Sequence, residues 1–200
     1  MTEVSTVDLM WGVEFEPAEV TFKYADIERA IASIHNINPE AFKTLRSRIK
    51  HFQRIGLVPS SPGKGQKIKY TVGDAIRWAL CFELAECGLP PEQIKDVIRI
   101  CGYKVFGAFS KLNHPITPTE DLIFVLSGNF LQWHLDPSER PYSELFIDAT
   151  VGVGSMTCGV IAVSKLQDQV FAKAKMQRAI LVNMSALRRN LALALKIEWR

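Results

Sequence analysis

The chain has 200 residues, of which 48% are hydrophobic, 22% charged and 10% aromatic, and its formal net charge is +3. This composition is ordinary for a globular protein of one medium domain or two small ones. No apolar run reaches the roughly 18–20 residues that span a bilayer, and the acidic N-terminus is unlike the basic start of a signal peptide, so we expect a cytoplasmic protein without a membrane partner.

In the first third of the chain, the sequence pattern predicts an arm and two helices. An irregular N-terminal arm is predicted over residues 1–22. From Tyr24, isoleucines recur at helical spacing and predict a first helix. Asn38 is a favourable helix cap, and Pro39 is favourable in the first turn of a helix. A second helix is therefore predicted over 39–54. It should end before Gly56, because glycine suits a helix C-terminus.

The next segment predicts a hairpin and two more helices. Prolines and glycines over 59–65 are typical of a turn, and the alternation of apolar and polar residues over 66–72 predicts a short strand. Thr71 or Gly73 should cap a third helix, which Gly88 stops. The two prolines that follow should open a fourth helix.

The C-terminal half changes character. Strands are predicted over 122–126, 145–149, 159–163 and 179–182, and a last helix is predicted with Ser185 as its cap. The order of these elements predicts an α+β protein. A helical domain should cover 23–104, and a smaller β-containing domain with a C-terminal helix should cover 105–200.

The basic residues are concentrated in one segment. Between Phe42 and Arg77 there are nine basic side chains and one acidic one, a net charge of +8, so with +3 overall the rest of the chain sums to −5. Such a segment attracts a polyanion, because binding releases the counterions condensed on phosphates.

On a helical wheel the second predicted helix has two different faces. Its apolar stripe consists of Phe42, Leu45, Ile49 and Phe52, and a sector of about 60° on the other side holds Lys43, Ser47, Lys50 and Arg54, flanked by Arg46 and Gln53. The alternative is a solvated face, but solvated faces normally mix charge signs and this one has no acid. Lys64, Lys67 and Lys69 follow on the predicted hairpin, which completes a winged-helix arrangement.

Four stretches, taken in order along the chain, carry a family resemblance. They are Ile49-Lys-His-Phe-Gln-Arg-Ile-Gly-Leu-Val-Pro59, Gly65-Gln-Lys-Ile-Lys-Tyr70, Thr71-Val-Gly-Asp74 and Ala85-Glu-Cys-Gly88-Leu-Pro-Pro-Glu-Gln-Ile94. In this order they resemble the recognition-helix end, the wing, the third helix start and the following turn of MerR-like winged helix-turn-helix transcription regulators. The resemblance covers about residues 23–100, half of the chain.

This resemblance implies a sequence-specific DNA-binding transcription regulator. It implies that the recognition helix 39–54 enters the major groove and that the wing 60–70 lies on the DNA backbone. It assigns DNA contacts to Lys50, His51, Arg54 and Tyr70. Phe52, in contrast, takes the place of a tyrosine without its hydroxyl and is interpreted as a core residue.

The chain also departs from the family. MerR-like proteins usually dimerise through a long coiled-coil helix after the fourth helix, but Gly102, Gly107 and Pro115 interrupt that region here. The family's activation by promoter twisting is therefore not carried over. Metal sensing is not carried over either, because the cysteines, at 81, 87, 101 and 158, lack a suitable pairing.

Other candidate sites are weaker. The segment Val151–Ser155 lacks the third glycine and the Lys-Ser/Thr of a phosphate loop. His114, Trp133 and His134 could line a ligand pocket, although a histidine beside tryptophan is more often packed or at the surface. No set of nucleophile, base and oxyanion donor is present, so we expect no enzyme and no cofactor.

The last predicted helix has a narrow leucine stripe of Leu187, Leu191 and Leu195. The stripe could pack on the chain's own sheet, or it could mediate dimerisation. A DNA-binding protein benefits from a dimer, because two half-sites multiply affinity and specificity.

The expected site combines these observations. Lys43, Arg46, Ser47, Lys50 and Gln53 should face the groove, and His51, Arg54, Lys64, Lys67, Lys69 and Arg77 should hold phosphates. The expected partners are double-stranded DNA, a second copy of the chain and RNA polymerase. The alternative is a winged-helix protein-interaction module of a phage-derived, RNA polymerase-associated or partition assembly, which would contact nucleic acid only nonspecifically.

Overall fold

The computed structural model describes residues 20–58, 67–99, 102, 120–127, 142–144, 156–168 and 179–197. The chain divides into two compact units, one formed by Met1–Ile116 with Ala186–Arg200 and the other by Thr117–Ser185. The boundary predicted between residues 104 and 105 differs from this division, and so does the assignment of the whole last helix to the C-terminal half.

Helices dominate the described residues of the N-terminal unit. They are α1 (Tyr24–Ile34), α2 (Phe42–Arg54), α3 (Val72–Glu86) and α4 (residues 91–99), and a short 3₁₀ turn over Pro39–Ala41 leads into α2. These elements confirm the four helices predicted from hydrophobic spacing and capping residues. The second helix was predicted to begin at residue 39, but its first turn, directly after Asn38, is the 3₁₀ turn and not part of α2.

Local capping chemistry sets the helix boundaries. At the start of α3, Thr71 Oγ1 accepts a hydrogen bond from the backbone N–H of Asp74 at 3.1 Å, and Asp74 Oδ2 accepts one from the Thr71 N–H at 2.9 Å. This reciprocal pair is a capping box. Gly56 and Gly88 follow α2 and α3 with φ angles of 77° and 88°, a left-handed conformation in which glycine avoids a Cβ clash.

An aromatic cluster fixes α2 within the N-terminal unit. α1 packs against both α2 and α3. The ring of Phe52 on α2 lies 5.2 Å from Phe82 and 6.5 Å from Trp78 on α3, and all three side chains are buried. Such aromatic pairs contribute about 0.5–1.5 kcal/mol each beyond the area they bury. The apolar side of α2 is therefore held in place while its other side stays at the surface.

A single bridge joins the residues before α1 to those before α3. The backbone N–H of Phe22 donates to the Tyr70 carbonyl at 2.8 Å, and the Tyr70 N–H donates to the Phe22 carbonyl at 2.9 Å. Phe22, assigned to the arm by sequence, thus belongs to this unit. The strand predicted over 66–72 is wrong for the described residues from 67 onward, which hold only this bridge before α3 begins. The predicted turn and the rest of the wing lie outside the described residues.

The described part of the C-terminal unit forms one four-stranded mixed sheet. Its strands are β1 (Leu122–Ser127), β2 (Tyr142–Glu144), β3 (Met156–Ala162) and β4 (Ile180–Asn183), in the order β2-β3-β1-β4. β1 pairs antiparallel with β3 and β4, and β2 runs parallel to β3. Ile123, Val125 and Ile161 form a buried cluster on one face of the sheet. The next side chain along β1, Phe124, is also buried, so this central strand is covered on both faces.

Three of the four predicted strands are confirmed, with shifted ends. β1 covers the predicted 122–126, whereas β3 and β4 begin or end one to three residues away from the predicted 159–163 and 179–182. The strand predicted over 145–149 lies outside the described residues. β2 was not predicted.

The last helix, α5 (Met184–Leu195), follows β4 directly. Ser185 was predicted to cap this helix, and that prediction is wrong, because the helix already begins at Met184 and leaves no cap position for the serine. Instead the Ser185 hydroxyl accepts a hydrogen bond from the backbone N–H of Leu122 at 2.9 Å. Helices and a mainly antiparallel sheet confirm the predicted α+β class. None of the described helices has the length and apolarity needed to cross a membrane.

Candidate nucleic-acid interface

α2 presents a cationic surface opposite its buried stripe. Leu45, Ile49 and Phe52 are buried on one side. We call the opposite side the cationic face; its members, all exposed, are Lys43, Ser47, Lys50 and Arg54. The helix contains no acidic residue between its first and last positions. The structure thus brings together the four residues that the helical wheel placed in one sector.

Two short-range hydrogen bonds order the cationic face. The Ser47 hydroxyl donates to the Lys43 carbonyl one turn earlier at 3.1 Å. Arg54 Nη2 lies 2.9 Å from His51 Nδ1, which must accept because a guanidinium only donates. Half-buried His51 therefore orients Arg54, and its other ring nitrogen carries the proton and can donate.

Arg46 lies at the edge of the cationic face and bonds back to the protein. Its Nε lies 2.6 Å from Oε1 of Glu28 on α1. The Glu28 side chain is 6% exposed and that of Arg46 is 57% exposed. The predicted groove residue is thus partly exposed, with one N–H fixed by a buried carboxylate.

Gln53 and Tyr70 are held together beneath α2. Gln53 Nε2 donates to the Tyr70 hydroxyl at 2.9 Å, and Gln53 is half-buried. Tyr70 itself is fully buried, and burial, followed by the proximity of Tyr24 and Asp74, raises its pKa to about 12. This burial argues against the predicted DNA contact of Tyr70, whose hydroxyl instead accepts from Gln53 of α2. One donor of Gln53 is likewise directed into the fold.

Arg77 is also misplaced by the sequence prediction. It lies on α3, only 6% exposed, among buried residues that include Ala75 and Trp78. Burial of this depth argues against the predicted phosphate contact of Arg77. The segment with a net charge of +8 therefore contributes fewer cations to the surface than its sequence predicts.

The wing prediction is tested only at its end. Lys67 and Lys69 are exposed, on either side of half-buried Ile68 and just before Tyr70. Lys64 lies outside the described residues. The two visible lysines thus keep the alternation that the sequence predicted, without the regular strand.

One exposed cation was missed. Arg48 lies on α2 about 100° from Ser47, on the flank opposite Arg46, and it is exposed. The wheel placed it outside the narrow sector. Its long side chain can extend from the flank towards that sector. The presence of a long cationic side chain beside the sector is the sequence signal that could have identified it.

The predicted dimerisation stripe is largely covered by the chain itself. Leu187 and Leu191 are 3% and 1% exposed, and Leu195 is half-buried. Leu193, which was not predicted, is 79% exposed. The first two leucines therefore act as core residues of the single chain, as in the alternative of intramolecular packing.

Several other candidates lie outside the described residues, namely His114, Trp133, His134 and the glycine-containing segment Val151–Ser155. Within the described ranges, no group of three or more histidine, cysteine, aspartate or glutamate residues is arranged to hold a metal ion. Cys81 is buried, and burial raises its pKa to about 12. This shift keeps its thiol protonated and unreactive at neutral pH.

Comparison with known proteins identifies no family. The chain matches no protein-family model, and no curated protein matches it in sequence.

Proposed function

We propose that the protein is a sequence-specific DNA-binding transcription regulator, with α2 as the helix that enters the major groove. The observation that supports this most directly is the cationic face of α2, which is exposed, contains no acid and is backed by a rigid aromatic core. A helix fits the major groove, where lysine and arginine donate to guanine.

The proposed site has two parts. Lys43, Ser47 and Lys50 meet base edges, while phosphates are held by Arg48, His51, Arg54, Lys67 and Lys69. Lys64 remains a predicted member of the phosphate set, and a winged helix-turn-helix remains the arrangement that we propose for this unit. Tyr70 and Arg77 are removed from the site because they are buried.

A salt titration tests the electrostatic part of this proposal. Four exposed cations of the phosphate set, Arg48, Arg54, Lys67 and Lys69, predict a slope of about −3.6 for log affinity against log salt. The measurement is fluorescence anisotropy with a labelled random-sequence duplex. A slope near zero would contradict the proposal.

A substitution tests the base-reading part. Lys50→Ala should weaken binding to a duplex selected from a random double-stranded library by about 1–3 kcal/mol. The matched control is Lys95→Ala, because Lys95 is an exposed lysine on a different helix, α4. Equal wild-type affinity for selected and scrambled duplexes, together with stable co-purification of a protein partner, would favour the protein-interaction module instead.

A further inference from the structure

The contact between Arg46 and Glu28 differs from two other arginine–carboxylate pairs of the described residues. Arg29 pairs with Asp26, and Arg99 pairs with Asp96, each three residues away on the same helix. Arg46 instead reaches from α2 to Glu28 on α1, 18 residues earlier. Its partner is a carboxylate with only 6% of its side chain exposed.

Glu28 is well suited to hold an arginine in one conformation. A buried carboxylate needs a charged or hydrogen-bonding partner, because its desolvation is otherwise uncompensated. Tyr24 lies in the same environment. Its pKa is raised above the usual value, first by burial and then by Glu28, and Arg46 offsets only part of this rise. Tyr24 therefore stays neutral, and Arg46 supplies the positive charge that balances Glu28.

The pairing leaves most of the guanidinium available. An arginine has five N–H donors in a rigid fork, and the contact with Glu28 is made through Nε. The side chain as a whole is 57% exposed, at the edge of the cationic face. Because its conformation is set before binding, less rotamer entropy is lost when the remaining donors meet a ligand.

We propose that Glu28 is a positioning residue that presets Arg46 to donate through its Nη groups to one guanine at the edge of the contacted site. The assignment rests on the proposed DNA-binding function. Arginine is chosen for guanine because its fork matches the O6 and N7 acceptors. Glu28 itself touches no DNA.

The rival interpretation is a brace between α1 and α2 without a role in recognition. The two interpretations differ in what happens to scrambled DNA. Loss of a brace weakens binding to every duplex. Loss of positioning weakens only the selected duplex, while affinity for a scrambled duplex stays equal or rises because a negative charge has been removed near the phosphates.

The test compares Glu28→Ala, Glu28→Gln, Arg46→Ala and the double variant Glu28→Ala/Arg46→Ala on both duplexes. The selected duplex is obtained with the wild-type chain from a random double-stranded library. We expect Glu28→Ala to lower the ratio of selected to scrambled affinity about tenfold, with the loss concentrated at one G·C pair. In the Arg46→Ala background the same change should lower it no further, since Glu28 acts through Arg46.

Two further variants secure the result. Glu28→Gln keeps the length and an acceptor, so it should keep more of the ratio, with a loss of about threefold, and it decides the matter if the alanine variant does not fold. Asp96→Asn removes another mostly buried carboxylate that pairs with an arginine, on α4, and should leave the ratio unchanged.

The outcomes separate the two proposals. A wild-type chain without salt-dependent duplex binding rules out the proposed function and the positioning role with it. A wild-type chain that binds selectively, with Glu28 variants that lose stability but keep the ratio, leaves the function standing and reduces Glu28 to a brace.

Discussion

Two helices of the N-terminal unit, α2 and α3, carry charges from the same basic segment and use them differently. On α2 only Leu45, Ile49 and Phe52 are buried, and the cationic face is exposed. On α3 most residues are buried, including Asp74 and Arg77. The number of basic residues in a sequence segment therefore does not give the charge of a binding surface. A cation can bind a polyanion only if the fold leaves its side chain exposed.

The difference follows from position in the fold. α3 shares the aromatic cluster with α2 through Phe82 and Trp78, and α1 also packs against it. A helix covered from several sides must bury whatever polar residues it carries, and those residues must then find partners inside. α2 buries one stripe only, so the residues of its cationic face stay exposed.

The largest expected effect that could break this comparison concerns Arg77. Arg77→Ala should lower the free energy of unfolding by about 3–5 kcal/mol, because truncating a buried, engaged charge leaves its partner groups uncompensated. The slope of log DNA affinity against log salt should not change. Urea denaturation and the anisotropy titration measure the two quantities.

Lys50→Ala provides the reverse control for Arg77. It should change the free energy of unfolding by less than about 0.5 kcal/mol, as expected for an exposed position. If Arg77→Ala flattened the salt slope without loss of stability, Arg77 would belong to the binding surface and the contrast between the helices would fail.

A second substitution extends the comparison from charges to leucines. Leu191→Ala should destabilise the chain by about 2–5 kcal/mol, since Leu191 is 1% exposed, whereas Leu193→Ala should stay within about 0.5 kcal/mol, since Leu193 is 79% exposed. Thermal and urea unfolding measure both. Sedimentation analysis adds the decisive control: a Leu191→Ala chain of unchanged stability that dissociates from a dimer would restore the leucine stripe as an interface.

Tyr70→Phe tests the support beneath α2 with a smaller effect. At neutral pH we expect a loss of about 1 kcal/mol, because the hydrogen bond from Gln53 disappears and its donor stays half-buried. The proposed binding to DNA should persist, since Tyr70 is not at the surface. A loss of specific binding at full stability would reinstate Tyr70 as a DNA contact.

The same variant has a defined pH dependence. The pKa of Tyr70 is raised from 10.0 to about 12 in the folded chain, so below pH 10 both states keep the proton and the stabilisation is complete. Between pH 10 and about 12 the unfolded state loses its proton first, and wild-type stability falls as pH rises. The wild type should therefore lose roughly 2 kcal/mol across this window while Tyr70→Phe does not, so the deficit of Tyr70→Phe should disappear and change sign. Urea unfolding of both chains at about pH 8 and about pH 12 measures the change, and a constant deficit would contradict it.

The smallest effect concerns Arg48, the exposed cation on the flank of α2. Arg48→Ala should reduce the magnitude of the salt slope by about 0.9, the value of one phosphate contact, with little change in unfolding. Lys95→Ala on α4 should leave the slope unchanged. Equal slopes for wild type and Arg48→Ala would restrict the proposed interface to the sector predicted by the wheel.

Local features were predictable from the sequence because their causes are local. The cap of α3 depends on Thr71 and Asp74, three residues apart, and the end of α2 depends on Gly56 next to it. The cationic face of α2 depends only on helical period and residue type. These features need no knowledge of what packs nearby.

The remaining features depended on distant parts of the chain. Whether Tyr70 and Arg77 lie outside or inside is decided by the elements around them, and Tyr70 is bridged to Phe22, 48 residues earlier. The Ser185 hydroxyl accepts a hydrogen bond from the backbone N–H of Leu122, 63 residues earlier. A capping rule, which considers only nearby residues, could not predict this bond. The pairing of Arg46 with Glu28 likewise needs two helices brought together.

The sequence by itself thus determined the α+β class, the helices of the N-terminal unit and the side of α2 that carries the cations, since hydrophobic period and capping act over a few residues. Only the tertiary structure decided which charges stay at the surface, which leucines are covered and which arginine is held by a buried carboxylate. Burial is a property of the neighbours that folding supplies, and those neighbours are far away along the chain.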